Sequence, residues 1–502
     1  MPQDMHRREV ELPERDFLDS LENFAPRADT SCVPADPANT VADRINTLLQ
    51  NGGSGYVLNL CPKTSYLIQS PILFAHQNQE ISTLGYPQGD DRAQLVVSGP
   101  VANGAGHTTA VDGTCNDCDG VKLRYVRIDG TRRGGGPTMG GANIEMGGDN
   151  ANQLIEYVHS SDPRSWSCLH LAEGPFTCNN VTIQNNDIGP CGSDAFQEWA
   201  DGISVSCKNA VIKNNMVQGA TDGGIVLFGS PGTKVFNNTI WVLNQTLLGG
   251  INMVDYDPWK GDYTGTEVHD NTILGGFATD DPDGNQKGNN FENAIIKIGI
   301  AVGPETWFGD KYGTNVSKNG VVRNNKLSGA FSYGIAITSA QNFTIQGNTM
   351  FDNTSFIGSR GPKCQDKDVV PQPGPFIVDQ RTTKDCTLQS DFQTVTDGDS
   401  LTCVLPPNGG DFWPFGKNPS NSSNPYVSGG NTNSTPPGSS SDGSGSKGKS
   451  STTGIAVGVV LGVLAFAAIA FFTRKWALAR KEKQRLFDET KRNTEYTQQL
   501  QD

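Results

Sequence analysis

The sequence predicts an all-β solenoid, a parallel β-helix, as the main domain of this 502-residue chain. Short alternating apolar runs recur at spacings that are mostly 23 to 33 residues, and many of them lead into an Asn-containing turn. The composition is rich in glycine, with 59 residues, and only 18% of the residues are charged. Such a composition favours turns and strands over helices. A chain that grows by repetition can form one elongated domain of this length.

The N-terminal part predicts a leader, then a helix, then strands. Residues 1–38 are polar and interrupted by proline, so we expect a flexible or cleaved segment. Four apolar residues then recur at helical spacing: Val41, Ile45, Leu48 and Leu49. Thr40 is a candidate cap of this helix and Gly52 a candidate end, and strands are expected at 55–60 and 66–68. The helix would plug the stack, because a solenoid end exposes apolar side chains and unpaired backbone.

The repeat is readable from residue 123 to residue 348. Successive units are anchored at Leu123, Ile155, Ile183, Ile212, Phe236, His269, Arg323 and Gln346. The spacing of 54 residues between His269 and Arg323 is interpreted as two units with one anchor lost, which gives about nine coils. Asn tolerates the left-handed conformation of a tight bend, and we expect stacked Asn side chains to hydrogen-bond along the column.

A second apolar run recurs in each unit. Its copies lie at 143–146, 168–171, 202–205, 224–227, 250–253, 297–300 and 334–337. Alternation sends the Ile, Leu and Val members inward and one column of residues outward: His170, Ser204, Val226 and Asn252. Insertions at 255–265 and 277–290 lengthen single coils, and loops added on one side of a solenoid usually build its binding groove.

The domain organisation follows from where the repeat stops. We expect the β-helix to span 39–355 and a cap containing Cys364, Cys386 and Cys403 to span 356–416. A stalk rich in Ser, Gly, Asn and Pro spans 417–453, and the composition predicts a flexible linker there.

Residues 454–472 form an uncharged apolar run that predicts a transmembrane helix. Nineteen helical residues rise about 28 Å, which is enough to cross a bilayer core, whereas a buried helix of a soluble domain is the alternative. Basic residues follow at once, so residues 473–502 are expected in the cytosol and the β-helix outside the plasma membrane. No secretory signal is visible in residues 1–30, although the β-helix is expected outside the membrane. A truncated start of the sequence, or insertion directed by the membrane segment itself, would explain both observations.

The cysteines predict the compartment in which the chain matures, and the net charge limits the classes of ligand that it can bind. Eleven cysteines lie between Cys32 and Cys403, which predicts an oxidising compartment and leaves one thiol unpaired. The Cys115-x-x-Cys118 motif favours a disulfide or simple burial over zinc, because no second ligand pair follows. The tail from Thr473 carries a net charge of +3, which leaves −17 for the rest. We therefore expect no nucleic acid partner, but a neutral glycan or one bridged by a cation, bound by a monomer.

Asp201 and Asp222 are the candidate catalytic pair. They lie 21 residues apart, and each precedes a short apolar run. If one coil takes little more than twenty residues, the two carboxylates lie on adjacent rungs about 5 Å apart. Two such carboxyls can supply a general acid and activate water at a sugar bond. The alternative is structural, since Asp-Gly is a common turn whose carboxylate caps backbone amides.

Further polar and aromatic residues cluster around this pair in the predicted fold. The candidate substrate-binding residues are His170, Glu173, Asp194, Glu198, Trp199, Asn252, Asp255, Asp257 and Trp259. Trp166, Tyr256 and Trp307 are interleaved with them and suit stacking on sugar rings, although core or turn packing is the alternative for each. No cofactor is required by this pattern, but the acidic segment that starts at Asp280 could hold Ca²⁺ if it is not simply a solvated turn.

Two stretches resemble known families. The opening helix and strands resemble the start of the pectin-lyase-like superfamily of right-handed parallel β-helices. The segment Trp199-Ala-Asp201-Gly-Ile-Ser resembles the Asn-Thr-Asp-Gly strand of polygalacturonases, and Asp222 lies where that family has Asp-Asp. Gly223 stands at the position of the family's general acid, and Gly249-Gly250 stands where Gly-His-Gly would be expected. Lys297 is similar to the lysine of the family's Arg-Ile-Lys, which makes it a third candidate catalytic residue beside a surface-charge alternative.

Over most of its length the chain resembles fungal cell-surface β-helix proteins with a C-terminal membrane anchor. This resemblance implies the fold and a location at the cell surface. Our first hypothesis for the function is an enzyme that acts on cell-wall polysaccharide, a hydrolase or a lyase, with Asp201 and Asp222 at its site. The alternative hypothesis is a non-catalytic wall-binding or adhesion module that uses the same groove without turnover.

Overall fold

The computed structural model describes residues 31–193, 198–242, 245–276, 295–356, 358, 372–396, 398 and 401–402. These residues form three parallel strand ladders, because each coil of the chain contributes a strand to one ladder after another. Consecutive coils pair in register, as shown by Ile183 against Ile212 and Ile212 against Val235. The expected parallel β-helix is confirmed.

The first ladder has eleven strands. In order along the axis they are Val57–Leu60, Glu80–Thr83, Lys122–Arg124, Leu154–Glu156, Thr182–Gln184, Val211–Lys213, Lys234–Phe236, Glu267–His269, Val321–Arg323, Thr344–Gln346 and Thr387–Leu388. The second ladder contains Ser65–Ile68, Ala93–Val97, Val126–Asp129, His159–Ser161, Asp187–Ile188, Met216–Gln218, Thr239–Trp241, Thr272–Leu274, the first half of Lys326–Ile337, and Thr349–Phe356.

The third ladder carries the outward column predicted from the sequence. Its strands are Ile72–Leu73, Val111–Asp112, Ile144–Gly147, Ser167–Ala172, Asp201–Val205, Gly223–Leu227, Leu247–Met253, Ile296–Val302, the second half of Lys326–Ile337, Gly374–Asp379 and Gln393–Val395. Two short pairs lie outside the ladders: Val101–Ala102 with Ala105–Gly106, and Ser317–Lys318 with Ala340–Gln341.

The α-helix Val41–Gly52 caps the N-terminal end of the solenoid. Val41, Ile45 and Leu49 are fully buried as expected, but Leu48 is 37% exposed. The helix ends at Gly52, as expected, and the next residue, Gly53, has a φ of 73°, in the left-handed region that glycine adopts without strain. The other helices among the described residues are the α-helix Pro304–Phe308 and the 3₁₀ turns Ala38–Thr40, Gly89–Asp91 and Gly309–Tyr312.

A column of asparagines runs along the turn between the first and second ladders. Its members are Asn186, Asn215, Asn238, Asn271, Asn325 and Asn348. Each side-chain oxygen from the second member onward accepts the backbone N–H and the side-chain N–H of the previous member at 2.9–3.0 Å. The residue before each of the first five is left-handed, with φ between 54° and 56°. Both expectations for the Asn turns are confirmed.

The interpretation of the 54-residue spacing as two units is wrong. Strand Glu267–His269 pairs directly with Val321–Arg323, so the chain between them makes a single coil. The extra length lies in the connections around strand Ile296–Val302, because connections can lengthen without disturbing the hydrogen-bonded ladders.

The solenoid extends beyond both boundaries drawn from the sequence. At the N-terminus a disulfide joins Cys32 to Cys61 and Val33 pairs with Leu60, so part of the expected leader belongs to the first coil. At the C-terminus Gly374–Asp379, Thr387–Leu388 and Gln393–Val395 continue the ladders past residue 355. The region predicted as a cap from residue 356 therefore includes further coils.

The described residues contain four disulfides. They are Cys32–Cys61, Cys115–Cys118, Cys168–Cys191 and Cys178–Cys207. Among the described residues, Cys386 is the free cysteine. Cys364 and Cys403 lie outside the described ranges. None of the helices described here is long and apolar enough to span a bilayer, and the expected stalk, membrane segment and tail lie outside the ranges given above.

Candidate active site

The predicted outward column is present on the third ladder. His170 pairs with Ser204, Ser204 with Val226, and Val226 with Asn252. Ser204, Val226 and Asn252 are at most 5% exposed, so neighbouring loops cover this part of the face. The face is therefore the floor of a covered site, not an open surface.

Asp201 begins the strand Asp201–Val205 and is 6% exposed. Its Oδ1 accepts the backbone N–H of Gly223 at 2.8 Å, and its Oδ2 accepts the hydroxyl of Ser204 at 2.8 Å. The Ser204 hydroxyl also lies 2.9 Å from that of Ser167. These bonds fix the Asp201 carboxyl and tie it to the peptide that follows Asp222.

The register differs by one residue from the expected pairing of the two aspartates. Ile203 pairs with Ile225, which puts Asp201 opposite Gly223, and Asp222 immediately precedes the strand Gly223–Leu227. The two carboxyls nevertheless interact, because the charge of Asp222 contributes to the raised pKa of Asp201. The side-by-side expectation was wrong in register, although the two groups belong to one cluster.

Glycine is required at position 223 by close packing. A Cβ there would lie 2.2 Å from Cγ2 of Val226 and 2.8 Å from Nδ2 of Asn252. At Gly249 on the next coil, a Cβ would lie 1.9 Å from Oδ1 of Asn252. Asn252 thus fills the space above both glycines, so an acidic side chain at position 223, as in polygalacturonases, does not fit without a shift.

Asp255 is the third member of the carboxyl cluster. It follows the strand Leu247–Met253 and is half-buried, as is Asp222. Burial raises the pKa of Asp222 to about 6. Burial together with the charge of Asp222 raises the pKa of Asp255 to about 7, and Lys311 opposes that rise. Burial, and then the charge of Asp222, raise the pKa of Asp201 well above its usual range.

The cluster can therefore hold and release protons near neutral pH. Three carboxyls whose charged forms are disfavoured by burial cannot all ionise together at low cost. A protonated carboxyl beside an ionised one is the arrangement that acid–base chemistry at a sugar bond requires.

The other predicted polar residues make contacts of their own. His170 Nδ1 lies 2.7 Å from Oε2 of Glu145, which sits opposite it on the previous coil. Glu173 is half-buried just after the strand that carries His170, and the backbone carbonyl of Glu198 accepts Nη2 of Arg132 at 2.7 Å. Asp257 forms an exposed ion pair with Lys260. Asp194 lies outside the described residues.

The aromatic residues divide into two groups. Trp259 donates its Nε1–H to the Ser206 hydroxyl at 3.1 Å and meets the edge of Phe176 at 4.9 Å. Phe176 is 44% exposed, so this pair offers apolar surface to a ligand. Trp307, in contrast, is 6% exposed within a second apolar cluster on the outer face, and Trp199 packs against that cluster. Trp307 is thus a packing residue, in agreement with the core-packing alternative and not with stacking on a sugar ring.

Lys297 is completely buried, contrary to the surface-charge alternative. Its Nζ donates to the backbone carbonyl of Thr402 at 2.6 Å, and burial lowers its pKa well below the usual range. Leu401 beside Thr402 is buried in the outer apolar cluster. Lys297 therefore helps to hold Leu401 and Thr402 against the third ladder.

No group of three or more His, Cys, Asp or Glu side chains in the described ranges is arranged to hold a metal ion. The acidic segment from Asp280, the candidate Ca²⁺ ligand set, lies outside those ranges.

Comparison with known proteins supports the fold. Residues 176–390 match the family model for the right-handed β-helix region. No curated protein sequence matches the chain. Among solved structures, the chain is similar to the A-module of mannuronan C-5 epimerase AlgE6 from Azotobacter vinelandii, with 14% identity, coverage of 76% of this chain and 90% of that one, and a TM-score of 0.45.

Two further solved structures show the same degree of likeness. DFA-IIIase from Arthrobacter chlorophenolicus A6 is 13% identical over 72% of this chain and 93% of that one, with a TM-score of 0.43. An alginate lyase from a Paenibacillus species is 13% identical over 63% of this chain and 95% of that one, with a TM-score of 0.38.

Sequence reasoning missed two side chains of the site and one packing constraint. Glu145 stands in the recurring run 143–146, and its outward position in the column could have identified it. Lys311 lies in a loop without repeat periodicity, so no sequence signal places it near Asp255. The tight packing around Gly223 depends on Asn252, which comes 29 residues later in the sequence.

Proposed function

We propose that the protein is a glycan-active enzyme that hydrolyses a cell-wall polysaccharide at the outer face of the third ladder. The observation that carries this proposal is the group formed by Asp201, Asp222 and Asp255, whose pKa values are all raised. Glycoside hydrolysis needs one carboxyl that donates a proton to the leaving oxygen and one carboxylate that activates water or attacks the sugar.

Asp255 and Asp222 are assigned these two roles. Asp255 has the higher pKa of these two carboxyls, about 7, and so keeps its proton and acts as the acid. Asp222, with a pKa of about 6, is the ionised partner. Both are half-buried and so retain some exposed surface with which to meet a substrate.

Asp201 is assigned as a positioning residue instead of the catalytic residue expected from the sequence. Both of its oxygens are already bonded within the protein, to the N–H of Gly223 and the hydroxyl of Ser204. Its bond to Gly223 fixes the peptide that carries Asp222, and the interaction of the two carboxyls biases the titration of both.

The substrate is a glycan of low charge. The chain without its basic tail carries a formal charge of −17, which disfavours polyanions. The exposed surface of Phe176 beside Trp259 suits the apolar face of a sugar ring.

The test is turnover of a panel of neutral and acidic wall polysaccharides by the wild type, Asp222→Asn and Asp255→Asn. Each substitution is expected to lower the rate by at least about a hundredfold, the lower end for general acid–base catalysis. Asp352→Asn, at an exposed left-handed position of the second ladder, is the control and should retain full activity.

The products separate the alternatives. New reducing ends without unsaturated sugars indicate hydrolysis, whereas unsaturated ends indicate elimination. Binding of a polysaccharide by the wild type without products would refute the enzyme and favour a binding module, for which Phe176 and Trp259 would be sufficient contacts.

A further inference from the structure

A second pocket opens at the same edge of the third ladder as Asp255. Its volume is about 350 Å³, within the range of small-molecule sites. It is lined by Glu305, Thr314, Val316, Ser339, Arg381 and Thr382.

Strand register places this pocket farther along the same line of coils. The paired positions at the ends of four successive strands are Met253, Val302, Ile337 and Val378. Asp255 comes two residues after the first of these positions, Ser339 two after the third, and Arg381 three after the fourth. Because paired strands lie about 4.8 Å apart, the pocket is about 5–15 Å from Asp255 along the axis.

One loop contacts both the carboxyl cluster and the pocket. Lys311 interacts electrostatically with Asp255, and the ring of Tyr312 lies 5.5 Å from that of Tyr256, next to Asp255. The same loop continues into Thr314 and Val316, which form a wall of the pocket. The loop therefore links the surroundings of Asp255 to the pocket, whereas Asp201 and Asp222 lie at the opposite ends of their strands.

The lining offers hydroxyl groups and balanced charge. The backbone N–H of Glu305 donates to the Ser339 hydroxyl at 2.9 Å, and that of Ser339 donates to the Thr382 hydroxyl at 2.9 Å. Arg381 binds Asp379 at 2.6 Å, yet its side chain is 55% exposed. Since Asp379 and Glu305 offset the guanidinium, the lining favours neutral hydroxyl-bearing ligands over anions.

We propose that this pocket is a distal subsite that binds a neutral hexose unit of the glycan whose bond lies at the carboxyl cluster. This inference rests on the proposed function for the identity of the glycan. Its geometric basis is the shared edge, the shared loop and the volume of the pocket.

The test measures how affinity depends on glycan length. Neutral gluco-oligosaccharides with β-1,3, β-1,4 or α-1,3 linkages, from disaccharides to octasaccharides, are titrated against full-length protein carrying Asp222→Asn, which prevents turnover. Galacturonate oligomers of the same lengths are the anionic comparison. Thr314→Trp fills the pocket from an exposed position, and Thr349→Trp, exposed on the second ladder, is the control of equal size.

The octasaccharide of the preferred linkage should bind more tightly than the disaccharide. Thr314→Trp should weaken octasaccharide binding by about tenfold, equivalent to one or two hydrogen bonds, and should leave disaccharide binding unchanged. The control Thr349→Trp should bind both ligands as tightly as the protein without it. Any of four results would overturn the proposal. They are equal affinity at all lengths, an equal loss of affinity in both Trp variants, an increase of affinity with length that is limited to galacturonate oligomers, and no binding of any probe. The wild type's turnover decides the proposed function separately, because the binding series needs no catalysis.

Discussion

The pKa of Asp255 depends in part on the charge of Asp222, so the pH at which the site works is set by both carboxyls. Asp222 must lose its proton to act as the ionised partner, with a pKa of about 6, and Asp255 must keep its proton, with a pKa of about 7. Only a narrow interval of pH allows both states at once.

We therefore expect a bell-shaped dependence of kcat/KM on pH for the preferred glycan. The rate should rise through about pH 6 and fall above about pH 7, following the two carboxyls. Steady-state rates from pH 4 to pH 9, with the Asp352→Asn protein as a control, measure this dependence. A rate that keeps rising above pH 8 would contradict the role of Asp255 as the acid.

Stability should also depend on pH through Asp255. Its folded pKa of about 7 lies above the ordinary value of 3.8, so the folded protein holds this proton more tightly than the unfolded chain. The contribution to stability is fully present below about pH 4 and is lost as the pH rises through about 7.

Asp255→Asn removes this titration. Between pH 4 and pH 8, the free energy of unfolding of the variant should rise by roughly 1–2 kcal/mol relative to that of the wild type, after allowance for partial exposure of the side chain. Denaturant unfolding at both pH values measures the difference, with Asp352→Asn as the reference. A difference that does not change with pH would show that Asp255 titrates normally.

At the residue scale, the sequence could identify the aspartates but not their environment. Asp201 and Asp222 stand in a readable repeat, where each precedes an apolar run. The fixed carboxyl of Asp201 depends on Ser204 and Gly223, and the raised pKa of Asp255 depends on its burial and on the charge of Asp222. Such effects come from burial and distance, which a linear pattern does not encode.

At the element scale, the asparagine column holds successive coils together. The side-chain oxygen of Asn238 accepts two N–H groups of Asn215, and its own amide donates to the carbonyl of Ile212. These groups are buried, so a missing partner leaves them without water as a substitute.

Asn238→Ala should lower the free energy of unfolding by roughly 3 kcal/mol, because it leaves buried groups of Asn215 and Ile212 unpaired. Asn51→Ala, on the exposed side of the capping helix, is the control and should change stability by less than about 0.5 kcal/mol. Chemical denaturation of the three proteins gives the values. A loss in Asn238→Ala no greater than that in the control would mean that the column contributes little.

The column also shows which elements the sequence could predict. Asn214 and Asn237 occupy left-handed positions that few residues tolerate, so they mark turns unambiguously. The long coil between His269 and Arg323 was counted as two coils, because spacing in the sequence measures chain length and not strand pairing. The same weakness placed the end of the solenoid too early, since the coils after residue 355 lack the Asn-Asn turn.

At the scale of the whole molecule, we propose that the solenoid is held outside the plasma membrane by residues 454–472. The disulfides of the solenoid fit an oxidising compartment, and the apolar run is followed by basic residues. A cut after residue 430 leaves all the described residues in one piece and removes the predicted membrane segment.

The full chain should sediment with membranes and resist carbonate extraction, whereas a chain ending at residue 430 should appear in the medium or the soluble fraction. Protease added to intact cells should remove an epitope on the solenoid but spare one at the C-terminus. Replacement of Leu461, Leu464 and Phe466 by Asp should release the protein, since each charge opposes insertion. Full-length protein in the soluble fraction would refute the anchor.

The direct pairing of Glu267–His269 with Val321–Arg323 has a practical consequence. The chain between these strands can change in length while the strand partners on either side stay the same. Lys311 and Thr314 both lie in this interval, at the carboxyl cluster and at the second pocket. Laboratory evolution aimed at altered recognition should therefore begin with libraries of this one coil, leaving the scaffold unchanged.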